Sequence, residues 1–301
     1  MNERYAIDPS CFTNSAELKG LLEKFGIFTG RYLTQYPDDW EERLLNIMSK
    51  TSPVESSKIS TLLRRAKERY GLIRQPRLMW MDRYSWSENA GKLTAPPSPV
   101  LDGLVIPNDS PHPPFKSWEF DDVDLPPTAE ERIPSTPDEY VRASKLLLLV
   151  SHELIFVDPY LNPCDRFVAP VFSAMLAKAL GNGSKCGAVK CYARSRNILT
   201  ETTTLENVKH ALNKILEQAK VTKPFKLQYT LLDDSFSSAR MHDRYLCSVK
   251  GGIQLSQGFQ TQRRHGKVTV SPVSPGLHKE IWDTYFEGQH GMRIDKVINV
   301  P

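Results

Sequence analysis

The chain has 301 residues, 40% hydrophobic and 25% charged, which fits one large or two small globular domains and sets aside disordered, collagenous and disulfide-framework proteins. Its longest apolar run, Leu-Leu-Leu-Leu-Val at 146–150, is far short of the roughly 20 residues needed to span a bilayer. The net charge of +4 conceals a segregation: residues 54–85 carry 8 basic and 3 acidic side chains, 102–139 carry 2 and 10, and 140–301 carry 22 and 13. The C-terminal half therefore suits an anionic partner, either nucleic acid or an anionic phospholipid surface. The N-terminal Met-Asn-Glu-Arg-Tyr-Ala-Ile-Asp has no apolar leader, so a cytoplasmic address is expected. Cys11, Cys164, Cys186, Cys191 and Cys247 form no C-x-x-C pair, which points to reduced thiols and to no metal or other cofactor.

In chain order, Leu18, Leu21, Leu22 and Phe25 fall at helical spacing behind Asn14 and ahead of Gly26, a capped amphipathic helix. Pro37-Asp38-Asp39-Trp40 opens a second helix through Met48, and Pro53-Val54-Glu55 a third through Tyr70. The third turns Ile59, Leu62, Leu63 and Ala66 inward and Lys58, Arg64, Arg65, Lys67 and Arg69 outward. Residues 1–93 thus read as a small helical domain with Trp40 and Trp80 in its core, suited to recruiting a protein partner, and residues 72–80 read as a strand or hairpin. Between residues 94 and 137 lie 11 of the chain's 22 prolines together with the acidic excess, so 94–136 reads as an extended linker.

Thr136-Pro137-Asp138-Glu139 has the form of a capping box and starts a helix to about His152. A strand follows at 154–157, a helix to Leu180, a strand at 188–193, a helix at 205–219 and a strand at 225–232. The His-Asp-Arg tract, strands at 252–255 and 267–270, and a last helix at 276–286 complete the series. Strands alternating with helices and then a strand-rich end predict an α/β fold for 137–301, a mixed sheet flanked by helices.

Met241-His242-Asp243-Arg244-Tyr245-Leu246 is the most informative tract. Read as a strand, it sends His242 and Arg244 from one face, an imidazole that can attack or carry a proton beside a guanidinium that can clamp anionic oxygens. Together with the apolar strand ending in Asp158-Pro159-Tyr160 about 80 residues earlier, and the glycine-bearing strand after it, the tract resembles the phospholipase D-like domain at the C-terminus of microtubule-interacting-and-transport (MIT) domain proteins and of bacterial relatives. The resemblance covers about residues 137–290. It implies a phospholipase D-like fold and a phosphate ligand, and for bacterial members a place in anti-phage or mobile-element systems.

Catalytic members of that family carry H-x-K-x4-D and a G-S-x-N element. Here Arg244 holds the lysine position, Val249 the aspartate position, and Ser256-Gln257-Gly258-Phe259 stands for the last element. One copy of the tract supplies one histidine, so the family's two-histidine chemistry would need a homodimer. Strand-end topology gathers the candidate site: His242, Arg244 and Asp158 as the catalytic set, with Asp158 orienting the imidazole, and Arg194, Arg196, Arg263, Arg264, His265 and Lys267 as the binding set. Arg194 and Arg196 would bind phosphate or hold Asp233 and Asp234 in surface pairs. Tyr160 reads as a packing residue, and His152, His210, His278 and His290 as surface histidines. Two functions are open: a catalytically degenerate module binding nucleic acid or anionic lipid, and a dimeric, metal-independent phosphodiesterase or nuclease with His242 as nucleophile.

Overall fold

The computed structural model describes residues 3–300 apart from 51, 68–70, 75–77, 97–99, 109–116, 121–129, 182, 222, 236, 238, 239 and 262–265. The chain is α/β throughout and divides into two compact units, Met1–Thr128 and Ala129–Pro301, each built on its own sheet.

The first unit is not a helical domain. Its helices stand where periodicity places them, α1 over Ser15–Leu22 capped by the Asn14 side chain, α2 over Trp40–Ser49, α3 over Pro53–Arg65, with α4 at Trp86–Leu93 in addition. They cover a parallel sheet of order β3-β2-β1-β4-β5, formed by β1 Glu3–Ile7, β2 Arg31–Gln35, β3 Leu72–Arg74, β4 Gly103–Ile106 and β5 Ser117–Glu119. Tyr5, Ile7, Leu33 and Val105 pack with Leu18, Leu44, Met48, Ile59 and Leu63 from α1–α3, while Ala6, Leu104 and Ile106 pack with Trp86 and Ala90 of α4. Strands buried on both faces show no polar alternation, so their sequences carry no period-two signal.

The same sheet overturns the linker reading of 94–136, because that segment supplies β4 and β5 here and β6, Glu131–Pro134, to the second unit. Among the described residues of this segment, Pro107 follows β4, and Pro134 ends β6, the outermost strand of its sheet. Gly103 is needed at the start of β4, since a Cβ there would lie 2.6 Å from the Trp118 ring and 2.7 Å from the Tyr5 ring.

The second unit carries an eight-stranded mixed sheet of order β13-β9-β8-β7-β10-β11-β12-β6. Its strands are β7 Glu153–Val157, β8 Ala188–Arg194, β9 Lys226–Asp233, β10 Tyr245–Ser248, β11 Gly251–Leu255, β12 Lys267–Pro272 and β13 Arg293–Val300. Helices α5 (Pro137–Val150), α6 (Ala169–Leu180) and α8 (Leu205–Gln218) alternate with them, α7 is the single turn Ser195–Ile198, and α9 (Pro275–Ile281) runs on as a π turn through Phe286. Phe156 meets Phe172 of α6 on one face, and Ile155 and Val157 pack with Ile281 and Tyr285 on the other. The Thr136 side chain makes no cap bond, and Glu139 instead accepts from Arg142 Nε at 2.9 Å, so the expected capping box does not form. Among the described residues no helix is long and apolar enough to cross a membrane.

Parallel β7, β8 and β9 end at one edge, and antiparallel β10 begins there, with Tyr245 paired to Val157. The turn after β11 and the start of β12 share that edge through Gln254↔Tyr245 and Leu255↔Val270.

His152 and His210 are exposed as expected, whereas His278 and His290 are buried. The imidazole of His278 lies 2.6 Å from the Ser248 carbonyl, and His290 Nδ1 accepts the Met292 N–H at 3.2 Å. Burial pulls both below the ordinary histidine value in the folded chain, while each takes a proton near pH 6.5 when unfolded. Between those values the unfolded state binds more protons, so their contribution is present above about pH 6.5 and is lost as pH falls from there through the lower folded values. His278→Gln should lessen the fall in unfolding free energy between pH 7 and 5, and an unchanged slope would show that His278 is not held neutral.

A second outcome follows from β4. Leu104→Ala removes a fully buried side chain and should cost about 2–5 kcal/mol in denaturant unfolding of the first unit. A cost near zero would restore the linker reading.

Candidate functional site

Asp158 is the residue on which this edge is organised. It directly follows β7, is 3% exposed, and its own backbone N–H donates to the Tyr192 carbonyl of β8 at 3.1 Å. Oδ1 accepts the Tyr160 N–H at 2.8 Å, and Oδ2 accepts the Phe259 N–H at 3.1 Å. Arg244 Nε stands 3.7 Å from Oδ1. Burial pushes the Asp158 carboxyl above the usual carboxylate range, against the opposing pull of the two N–H groups and of Arg244.

Arg244 is held on three sides. Besides Asp158, its Nη1 donates to the Ser256 carbonyl at 3.4 Å, and its guanidinium carbon lies 5.6 Å from the centre of the Tyr160 ring. Its side chain is 26% exposed, and Nη2 has no partner among the described residues. Tyr160 does not pack into the core: it is 50% exposed, an aromatic face set beside a cation.

The turn after β11 fits because of Gly258. At φ +75 a Cβ would stand 2.2 Å from Asp158 Oδ2 and 2.9 Å from Arg244 Cδ. The turn is anchored from α5, where the Tyr140 hydroxyl donates to the carbonyls of Gly258 at 2.7 Å and Gln260 at 2.9 Å, and Phe259 sits fully buried against Phe156.

His242 is placed differently from expectation. Strand β10 starts at Tyr245, so His242 and Arg244 lie in the non-strand approach to it, where strand periodicity does not set their side-chain directions. His242 is exposed and has no hydrogen-bond partner among the described residues, and neither oxygen of Asp158 bonds to it. Asp243 is also exposed, where Gln254 Nε2 donates to it at a long 3.4 Å.

Arg194, expected to bind phosphate, is 6% exposed and committed inside the protein. Its Nη2 donates to the Met241 carbonyl and pairs with Asp234 Oδ2 at 2.9 Å, and that oxygen accepts the Met241 N–H at 3.2 Å. Both side chains are buried, so this is a buried ion pair fixing the approach to His242, where a surface pair was the expectation. Asp233 is paired with Arg293 at 2.6 Å, a partner the sequence reading did not consider. Arg196 faces outward: its side chain is 54% exposed and its Nη2 is 3.5 Å from Asp234 Oδ1, an oxygen with no hydrogen bond among the described residues. Lys267, at the start of β12, is exposed on the same edge. Arg263, Arg264 and His265 lie outside the described residues.

Comparison with known proteins adds little. No family model matches the chain, and no curated protein matches it. Among solved structures, TrmBL2, an archaeal chromatin protein whose structure is described as showing a novel mode of DNA binding, aligns at 14% identity with a TM-score of 0.32. That alignment covers 57% of this chain and 56% of TrmBL2, and a likeness at that level assigns neither family nor ligand.

The role of Gly258 can be isolated. Gly258→Ala should cost about 1–3 kcal/mol in chemical unfolding for its backbone conformation and more for the encounter with Asp158. Gly183→Ala, at φ +85 in open space, carries the backbone cost alone. Equal losses in the two variants would show that the turn does not close on Asp158.

Proposed function

We propose that the Ala129–Pro301 unit is a phospholipase D-like, catalytically degenerate module that holds the phosphates of nucleic acid without cleaving them. The observation that carries this reading is the commitment of Asp158. Both its oxygens accept backbone N–H groups, and Oδ1 also faces Arg244. A histidine nucleophile needs a neighbour that fixes its tautomer and balances its charge. His242 lacks such a neighbour among the described residues. What the edge offers instead is binding chemistry: Arg244 with Nη2 free of described partners, Arg196 half in solvent, Lys267 exposed, and an aromatic ring beside the first of them. Nucleic acid is favoured over anionic lipid because it presents π faces to Tyr160 as well as anionic oxygens to the cations.

The opposing reading, a homodimeric phosphodiesterase, draws on one observation. The His242 imidazole is exposed and so accessible to a second copy.

The readings separate in one set of assays. Binding to DNA, RNA and anionic liposomes is measured at two salt concentrations, alongside hydrolysis with and without divalent ions. Nucleic acid should bind without turnover, and Arg244→Ala should weaken binding and reduce the salt slope by about 1. Arg194→Ala should instead lower stability by about 3–5 kcal/mol, because it leaves Asp234 buried and unpaired. Hydrolysis abolished by His242→Ala with binding intact would replace this reading with the enzyme. Binding confined to liposomes would replace nucleic acid with lipid.

A further inference from the structure

Tyr160 stands apart from the other surface side chains. Among the described residues, the large hydrophobic side chains left exposed are Val54, Met79, Val249, Ile294, Val297 and Tyr160, and Tyr160 is the single aromatic of the group. Isolated exposed apolar residues are normal on a protein surface and by themselves mean nothing. This one is held by an unusual amount of structure.

The backbone beneath the ring is fixed within its own loop and from β8, the α7 turn and β9. Tyr160 N–H donates to Asp158, and its carbonyl accepts the Asn162 N–H at 2.6 Å. The Pro159 carbonyl accepts from Arg194 N at 3.3 Å and Asn197 Nδ2 at 3.1 Å, and the Leu161 carbonyl accepts the Tyr229 hydroxyl. A rigid loop that presents an aromatic side chain to water has already lost the freedom that binding would otherwise remove. A tyrosine needed only as filler would turn the ring inward, as Tyr140 and Tyr229 do.

Cations flank this loop. Arg244 approaches from β10 on one side of β7, and Arg196 follows β8 on the other, which puts the two flanks roughly two strand spacings apart, about 10 Å. An aromatic platform between positive groups is the arrangement by which proteins hold unpaired bases, one ring stacking on a base while the guanidinium groups take the adjoining phosphates. A duplex keeps its base faces stacked inside the helix and cannot offer one to Tyr160 without unstacking.

We infer that the site takes single-stranded nucleic acid, with a base on the open face of Tyr160 and backbone phosphates on Arg244 and Arg196. The inference rests on the nucleic-acid reading above and narrows it to strands with free bases. No described group distinguishes ribose from deoxyribose, so DNA and RNA single strands are both ligands by this chemistry.

The test uses the full chain and four probes of about ten nucleotides: single-stranded DNA, single-stranded RNA, a blunt duplex, and a single strand whose central residues are abasic. Single strands should bind more tightly than the duplex at equal salt. Tyr160→Ala should weaken single-strand binding about 5- to 150-fold, the loss of one base–aromatic stack, and leave duplex binding unchanged. Tyr160→Phe should restore affinity because the ring is what stacks, and the abasic strand should bind wild type as weakly as the intact strand binds Tyr160→Ala. Tyr160 is exposed, so these variants test the surface and not the fold, with circular dichroism as the check. Equal binding of single strand and duplex, unaffected by Tyr160→Ala, overturns the inference and leaves the nucleic-acid reading standing. Binding of none of the four probes at low salt overturns both.

Discussion

One buried carboxylate holds the functional edge of the second unit together. Asp158 gathers the N–H of its own turn, the N–H of Phe259 from the turn after β11, and the Arg244 side chain from the approach to β10. A carboxylate this deeply buried is costly unless hydrogen-bonded and paired, and here three separate chain segments meet that demand. The geometry of each segment follows. The turn at 258 must be glycine because the carboxylate fills the space of a Cβ, and the backbone of Tyr160 is held by its N–H donating to Asp158 beneath a half-exposed ring.

A second buried pair works beside it. Arg194 and Asp234, from the ends of β8 and β9, together bind both the N–H and the carbonyl of Met241. That fixes the point from which His242 departs into solvent. Among the described residues Arg194 Nε and Asp234 Oδ1 are buried without hydrogen-bond partners, so the pair is incompletely satisfied and more sensitive to loss of either member than a surface pair. Asp158 and Asp234 thus both act on backbone, and neither bonds to the His242 imidazole among the described residues.

Most of this architecture was legible where local chemistry is strong. Asn14 marked α1, the apolar stripe of residues 205–219 marked α8, and the order of strands and helices after residue 137 anticipated the mixed sheet. The first unit was missed because β1, β2 and β4 are short and buried on both faces, leaving no alternation to detect, and because proline density outweighed the Leu104-Val105-Ile106 run. Side-chain direction at this edge was less legible than residue type. Arg194 and Arg196 look equivalent two apart, but β8 ends at Arg194 and Ser195–Ile198 is a helical turn, so the period changes between them and one arginine is buried while the other is not. No local signal reports such a change. Nor could the sequence tell an outward Tyr160 from an inward one, since the acceptor that holds its backbone N–H is a carboxylate also bonded by Phe259, about 100 positions away.

The same reasoning limits what the basic surplus of residues 140–301 means. Arg194 is balanced by Asp234, Arg293 by Asp233, and Arg142 by Glu131 and Glu139, so formal charge overstates what a ligand meets. Arg244 differs in degree. Its Nε lies 3.7 Å from Asp158 Oδ1, within ion-pair range yet beyond hydrogen-bond length. The carboxylate oxygens have their hydrogen bonds elsewhere, so they steady the guanidinium without saturating it. A phosphate oxygen at normal hydrogen-bond distance would make the shorter, charge-assisted bond and displace nothing already made. Asp158 can therefore preorganise Arg244 for an anion while costing the anion little, which a fully formed Arg–carboxylate pair could not do.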